Sequence, residues 1–282
     1  MSSANVGWMF YKEAFKKLEN SNYPRDMKAV NHDILNAQIS NEYSFLKGTH
    51  HAIELKTTYP GLVIGSGYPH ALKDNKENFN FGFFFDHTTG MPIIPGSTVK
   101  GVLRSLFGQN KNERHKAQKK QLIDSLLPEK AQGKVTAITK AIFEGINADG
   151  TRQSPYERDI FLDAYVIKKE NKLLDDDSIT PHANPFKDPV PNKMLKLAPG
   201  VTIRFAFELH DIVDTNGETI LSADEKEELF LKLLLWHGIG AKTNVGYGQF
   251  VRDDTKTSIQ VERRHQSFGR KIKVVKKASE KK

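Results

Sequence analysis

The chain reads as an α+β protein, and three observations in its 282 residues carry that reading. Apolar residues alternate with polar ones over Val201 to His210, the period-two pattern of a strand. They recur at three- and four-residue intervals over Thr98 to Phe107 and again after Ser222, as in helices packed by one face. Segments of the two kinds follow one another as strand, helix, strand, strand, helix, strand, which is the split βαβ, or ferredoxin-like, arrangement.

Taken in order, Asn5 to Asn20 sets Trp8, Phe10, Tyr11, Phe15 and Leu18 among charges and predicts an amphipathic helix. A turn at Tyr23 to Asp26 leads to a second helix over Met27 to Tyr43. Ala52 to Ile64 is rich in β-formers and reads as a strand, bent at Pro60-Gly61 and ended by Gly65-Ser66-Gly67. His87 to Gly90 is a turn. Pro92 to Ser97 then opens a helix from Thr98 to Phe107, with Ser97 as its N-cap, Gly108 as its stop and Val99, Val102, Leu103 and Leu106 as its buried stripe. Gln109 to Gly150 is a polar helical insertion whose apolar face is Leu122, Ile123, Leu126 and Leu127. Arg158 to Lys168 is the second strand. Lys169 to Leu197, with four prolines and an Asp triplet, reads as an irregular insertion. After the third strand, Ser222-Ala223-Asp224-Glu225 is a capping box that opens a strong helix, and Gly238 ends it. A glycine-rich loop runs to Gly248, and Gln249 to Val251 forms the last strand.

The resulting expectation is a helical segment over 1–50 packed on a domain over 51–251. That domain carries insertions at 109–150 and 169–197, and a basic, partly disordered tail covers 252–282.

Charge narrows the function classes. The formal net charge is +8, but Arg252 to Lys282 holds eleven Lys/Arg against four Asp/Glu, so the tail alone carries seven of those charges. The rest is nearly neutral. The tail is either a solvated end or an arm for phosphates, which would add a salt-dependent, sequence-blind term to affinity. With no cysteine there are no disulfides, thiolate metal sites or cysteine nucleophiles. No apolar run approaches the ~20 residues that span a bilayer, and Met1 to Glu19 lacks the pattern of a signal peptide. The expectation is a cytoplasmic protein with no membrane partner.

Two segments carry candidate chemistry. In Ile94 to Arg104, Pro95 and Gly96 turn the chain, and the helix start offers unpaired N–H groups and partial positive charge to a phosphate. Ser97 and Thr98 add hydroxyls. Lys100 and Arg104, four apart, share a face, and Gly101 leaves room for another backbone. An ordinary capped helix with solvated cations would look the same. In Gly238 to Gly248, four glycines at Gly238, Gly240, Gly246 and Gly248 imply positive φ or close backbone contact. Lys242, Thr243, Asn244 and Tyr247 supply a cation, a hydroxyl, an amide and an aromatic face suited to RNA phosphates, sugars and bases. No helix follows a Gly-Lys-Ser/Thr, so this is not a Walker loop, and it follows a helix, so it is not a dinucleotide fingerprint.

Together these segments resemble the RAMP superfamily of CRISPR proteins, whose members carry a Pro-Gly-Ser-Ser-x-Lys-Gly helix start and a C-terminal glycine-rich loop. Thr98 stands at the second serine position and keeps the hydroxyl. Glu54 to Gly65, Phe161 to Ala164, Asn192 to Gly200 and Gly238 to Gly248 are similar to the sixth Cmr subunits of type III-B effectors, and the likeness runs from Ile53 to Val251. The resemblance implies an RRM-like RAMP domain without a cofactor. It would bind CRISPR RNA and target RNA beside other Cmr subunits at the end of a backbone filament, with the two segments as one joint surface. It also implies that catalysis belongs to other subunits.

Among candidates for catalysis, His50, His51, His70, His87, His182, His210 and His237 are scattered, with no helical metal spacing. Asp175-Asp176-Asp177 is either a cation site or an acidic loop. Asp159 and Asp163, four apart on a strand, would share a face near substrate or a partner. The alternative activity is a metal-independent RNA endonuclease of the RAMP type with His50 or His87 as general base.

Overall fold

The computed structural model describes residues 5–19, 25–37, 51–70, 77–108, 113–180, 191–252, 260–261 and 274–275. The N-terminal helix runs through α1 (Val6–Trp8), a π-helical stretch at Met9–Glu13 and α2 (Ala14–Glu19), and α3 (Arg25–Leu35) follows. Val6, Phe10, Ala14, Val30 and Ile34 are buried in the main core, so these helices are built into it. The second predicted helix ends early, at Leu35, and its predicted remainder to Tyr43 lies largely outside the described residues.

Strand β1 (His51–Thr57) stops before the Tyr59–Pro60 bond, which is cis, and Gly61 turns the chain at φ +110. The expected long bent strand is therefore a strand followed by a separate stretch, in which Leu62 and Val63 bridge Leu197 and Ala241. Strand β2 (Ile93–Ile94) leads to α4 (Gly96–Leu106), and α5 (Glu113–Leu126) and α6 (Val135–Glu144) fill the predicted helical insertion. Strands β3 (Ile160–Phe161) and β4 (Ala164–Lys169) replace the single predicted strand. Strands β5 (Leu174–Ile179) and β6 (Asn192–Leu197) pair in register from Leu174↔Leu197 to Ile179↔Asn192. The ends of the insertion expected to be irregular are thus a hairpin, and its prolines between 181 and 190 lie outside the described residues.

Strand β7 (Val201–Glu208) is central, followed by the short pair β8 (Ile212–Val213) and β9 (Thr219–Leu221), then α7 (Ala223–His237) and β10 (Phe250–Arg252). In the tail, β11 (Gln260–Val261) pairs with β12 (Val274–Val275). The remainder of the predicted tail lies outside the described residues.

The main sheet has the order β10-β1-β7-β4-β2, with β3 also on β7, and its neighbours are antiparallel. Sequence alternation placed one face of β7 inward, but Thr202 and Ala206 on the other face are buried too, so β7 is covered on both sides. The capping box on α7 forms as predicted: Ser222 Oγ accepts from Glu225 N–H at 3.2 Å and Glu225 accepts from Ser222 N–H at 2.8 Å. The Lys226 ammonium and Asp159 carboxylate, both 2% exposed, form a buried ion pair that His210 completes by donating its N–H to Asp159. Burial pushes the Lys226 amine down, against the pull of Asp159. Asp159 is therefore a buried structural charge, not a solvent-facing one.

Candidate nucleic-acid interface

The glycine loop is built on its own backbone. Ile239 N–H donates to Gly248 O at 3.0 Å, Gly248 N–H to Gly61 O at 2.8 Å and Ala241 N–H to Val63 O at 2.8 Å. A side chain at Gly238, Gly240 or Gly248 would collide with the carbonyls of Gly248, Val63 and Ile239 respectively. What approaches these three glycines so closely is the protein itself. Gly246, at φ +105, has only Pro60 Cδ at 3.6 Å and is open above. The Gln249 side-chain amide donates to Thr243 O at 3.2 Å and Tyr247 O at 3.3 Å, tying the loop from below.

That framework displays Lys242, Thr243, Asn244 and Val245 at the rim. Lys242 holds a left-handed conformation, φ 60, and its ammonium lies 5.4 Å from the Phe81 ring centroid. Thr243–Val245 is a single 3-10 turn, with Asn244 and Val245 exposed. Tyr247 was expected to offer its face to bases, but it is buried. Its hydroxyl donates to Asp177 at 2.7 Å, and Lys196 contacts both Asp177 at 3.0 Å and the Tyr247 ring at 6.0 Å. Burial, then the hydrogen bond to Asp177, push the Tyr247 phenol up. Burial would also raise Asp177, but the hydrogen bonds from Tyr247 and Lys196 outweigh it and hold its carboxyl below the ordinary range. The Asp triplet is thus the underside of the loop: Asp177 anchors Tyr247, and Asp176 pairs with Lys193 at 3.0 Å. Among the described residues no three His, Cys, Asp or Glu side chains gather to hold a metal ion.

Sequence reasoning missed Tyr59, which is 86% exposed on the turn next to Pro60, below Gly246. Its signal was the Tyr-Pro-Gly triplet, legible as a bend but not as a displayed ring.

The helix start differs from expectation. Helix α4 begins at Gly96 with Pro95 as its N-cap, so Ser97 lies within the first turn rather than at the cap, and Asp163 reaches across to accept the Gly96 N–H at 2.7 Å. A carboxylate therefore occupies part of the end expected to attract phosphate. Asp163 can do so because the chain breaks between β3 and β4, which separates it from Asp159. Gly96 is required because the backbone of Phe161 and Leu162 passes where a Cβ would stand. Ser97 is exposed and Thr98 half-buried. Lys100 is partly buried over the Phe161 ring at 5.5 Å; burial and then Arg104 push its amine down, against Asp159. Arg104 is exposed and lies 3.5 Å from Glu144.

The two segments do not meet. Gly96 packs at Phe161, which pairs with Phe207, whereas the loop joins the chain beyond Thr57, next to the Val201 end of β7. Six residues of strand separate those levels, roughly 20 Å at ~3.3 Å per residue. Of the histidines, His87 is exposed, His70 is buried and stacked on Phe10, and His51 pairs with Glu227 at 3.0 Å. His50 and His182 lie outside the described residues. No helix among the described residues is long and apolar enough to cross a membrane.

Comparison with known proteins adds the lineage. The chain is similar to the CRISPR system CMR subunit Cmr6 of Saccharolobus solfataricus, at 28% identity over 179 residues, which is 61% of this chain and 49% of that protein. The chain thus spans about half the length of that curated relative. Among solved structures it is similar to a chain of the type III-B Cmr-beta complex bound to cognate target RNA, at 24% identity and TM-score 0.46, covering 80% of this chain and 60% of that one. It is also similar to Cmr6 from Pyrococcus furiosus, at 24% identity and TM-score 0.38, covering 72% and 98%. The model of the RAMP superfamily matches residues 54–251, nearly the span expected from the motifs. That match takes in more than two thirds of the chain and both glycine-bearing segments, and the protein belongs to the RAMP superfamily.

Proposed function

We propose that this protein is a non-catalytic RNA-binding subunit of a type III-B CRISPR ribonucleoprotein effector, of the sixth-subunit type. On this reading it caps the backbone filament on the CRISPR RNA, helps to hold the guide–target duplex beside other Cmr subunits, and works in the cytoplasm in antiviral defence. The RNA-binding body is 51–251, with the N-terminal helices as support and the basic tail as an added arm. The sheet order supports a ferredoxin-like core: counted as first to fourth along the chain, β1, β4, β7 and β10 lie side by side as β10-β1-β7-β4, the order 4-1-3-2, with antiparallel neighbours. The likeness to Cmr6 supports the subunit type.

One observation carries the RNA contact. A glycine platform fixed by its own backbone hydrogen bonds displays a lysine, a hydroxyl and an amide at its rim, Gly246 is open, and Tyr59 is exposed on the adjoining Tyr59–Pro60 turn. These groups match a single strand's phosphates, sugars and base faces. Lys100 and Arg104, with Ser97, Thr98 and Gly101, form a second, separate contact.

Salt titration of RNA affinity tests both. Lys242→Ala should flatten the logarithmic salt slope by about 0.7 unit, the value for one single-strand phosphate contact. Lys100→Ala should do so independently, with additive losses given the separation. An unchanged slope in both variants would remove the RNA interface. Incubating the chain with repeat RNA and with guide–target duplex should leave both intact; cutting abolished by His87→Ala would replace this reading with an endonuclease.

A further inference from the structure

The N-terminal helix meets Tyr68, Asp86 and His87 at a cleft of about 400 Å³ that no motif announced, lined also by Trp8, Tyr11 and Lys12 among others. We infer that this cleft is a stacking pocket for one unpaired nucleobase of the same RNA strand, with Lys12 and Lys16 on its phosphate. The inference rests on the RNA-binding reading above.

Its back wall is fixed. The Tyr11 hydroxyl donates to Phe83 O at 3.0 Å and accepts from Phe85 N–H at 3.3 Å, so the ring cannot turn away. Burial pushes its phenol up, so it stays protonated as this donor. The rim is aromatic and open: Tyr68 is 73% exposed, edge-on to Tyr11 at 6.2 Å, and His87 lies 6.2 Å from Tyr11 on another side. Trp8 is 49% exposed, and the Lys16 ammonium sits 5.2 Å from its ring centroid. Large exposed rings in a concave site are costly to leave in water, and flat π-faces with flanking ammonium groups are the chemistry of single-strand recognition. Asp86 does not contradict this, because one carboxylate oxygen is engaged by Thr89 N–H and Oγ at 2.7 and 2.6 Å.

Position supports the assignment. Tyr68 bridges Phe83, two residues beyond the Phe81 ring that carries Lys242. That is roughly 7 Å of extended backbone, so a strand crossing Lys242 reaches the cleft along one surface.

The test is tryptophan fluorescence of the full chain titrated with short oligouridylate and with an abasic ribose-phosphate oligomer of equal length. Oligouridylate should quench emission, the abasic oligomer should not, and the quench should vanish in Trp8→Phe. Tyr68→Ala, at a position too exposed to threaten folding, should weaken oligouridylate about tenfold, within the range for stacking one base, and leave the abasic oligomer unaffected. If RNA binds and Lys242→Ala weakens it, yet Trp8 emission and Tyr68→Ala are silent, the cleft is not a base pocket while the RNA reading stands. If neither oligomer binds wild type at low salt, both readings fall. Tyr68→Ala sparing RNA but abolishing association with a partner subunit would reassign the cleft to protein docking.

Discussion

Substituting the loop glycines one at a time separates those the fold requires from the one free for a ligand. At Gly240, φ +96 lies outside what alanine adopts easily, and a Cβ would stand under 3.0 Å from Val63 O. Backbone strain of this kind costs about 1–3 kcal/mol. Moving Val63 aside also loosens the 2.8 Å bond it accepts from Ala241, about 1 kcal/mol more. Gly240→Ala should therefore cost about 2–4 kcal/mol, and Gly248→Ala a similar amount through its clash with Ile239 O. Gly246→Ala meets only Pro60 at 3.6 Å and should cost the φ strain alone, about 1–2 kcal/mol. With roughly 2–4 °C per kcal/mol, thermal melts should drop by about 10 °C for Gly240→Ala and by about 4 °C for Gly246→Ala. RNA affinity at a temperature where all variants are folded should rank the other way, because only Gly246 lies open to an approaching strand. Melts of Gly240→Ala and Gly246→Ala that coincide would refute the argument that Val63 dictates glycine at 240.

Three further outcomes are expected. Lys226→Met leaves Asp159 charged and buried without its partner, and should cost about 3–5 kcal/mol in denaturant unfolding; adding Asp159→Asn should recover much of that, and a double variant no better than the single would contradict an isolated buried pair. Burial holds the His70 imidazole down to about 4 from 6.5, so its neutral state supports folding fully above pH 6.5 and is lost as pH falls toward 4. That is about 3 kcal/mol, and His70→Gln should flatten the melting-temperature drop across that window relative to wild type. Finally, Gly101 sits exposed in α4 with nothing within 4 Å of an added Cβ. Gly101→Ala should thus stabilise the chain by about 0.5–1 kcal/mol; if it also weakens assembly or RNA binding, another backbone approaches there.

Much of the fold was legible because it rests on local signals. The alternation of Val201 to Leu209, the stripe of α4 and the capping box at Ser222 each specify an element within a few residues. What escaped was every feature made by partners far apart in the chain. Ser97 looked like the N-cap, but the helix starts at Gly96, where Asp163, 67 residues away, accepts the first N–H. Asp175 to Asp177 looked like a solvated loop until pairing with β6 put Lys193 and Lys196 against them. Tyr247 had the right identity for stacking on a base, but its hydroxyl found Asp177, 70 residues away. Short-range patterns report backbone geometry, whereas burial and ion pairing are decided by long-range register.

The same distinction bears on where RNA recognition resides. Were binding a matter of net charge, the nearly neutral body would contribute little and the tail nearly everything. The loop argues otherwise, because its cations are sorted by the fold. Lys193 and Lys196 are spent on carboxylates beneath it, while Lys242 is held by a left-handed backbone against Phe81 at the rim. A phosphate contact placed this way costs little ordering entropy on binding, since the glycine network has already fixed the backbone. A truncation ending after Arg252 should therefore lose affinity and salt slope together, yet keep the Lys242-dependent part of the slope. A truncated chain in which Lys242→Ala no longer alters that slope would return the whole of RNA binding to the tail.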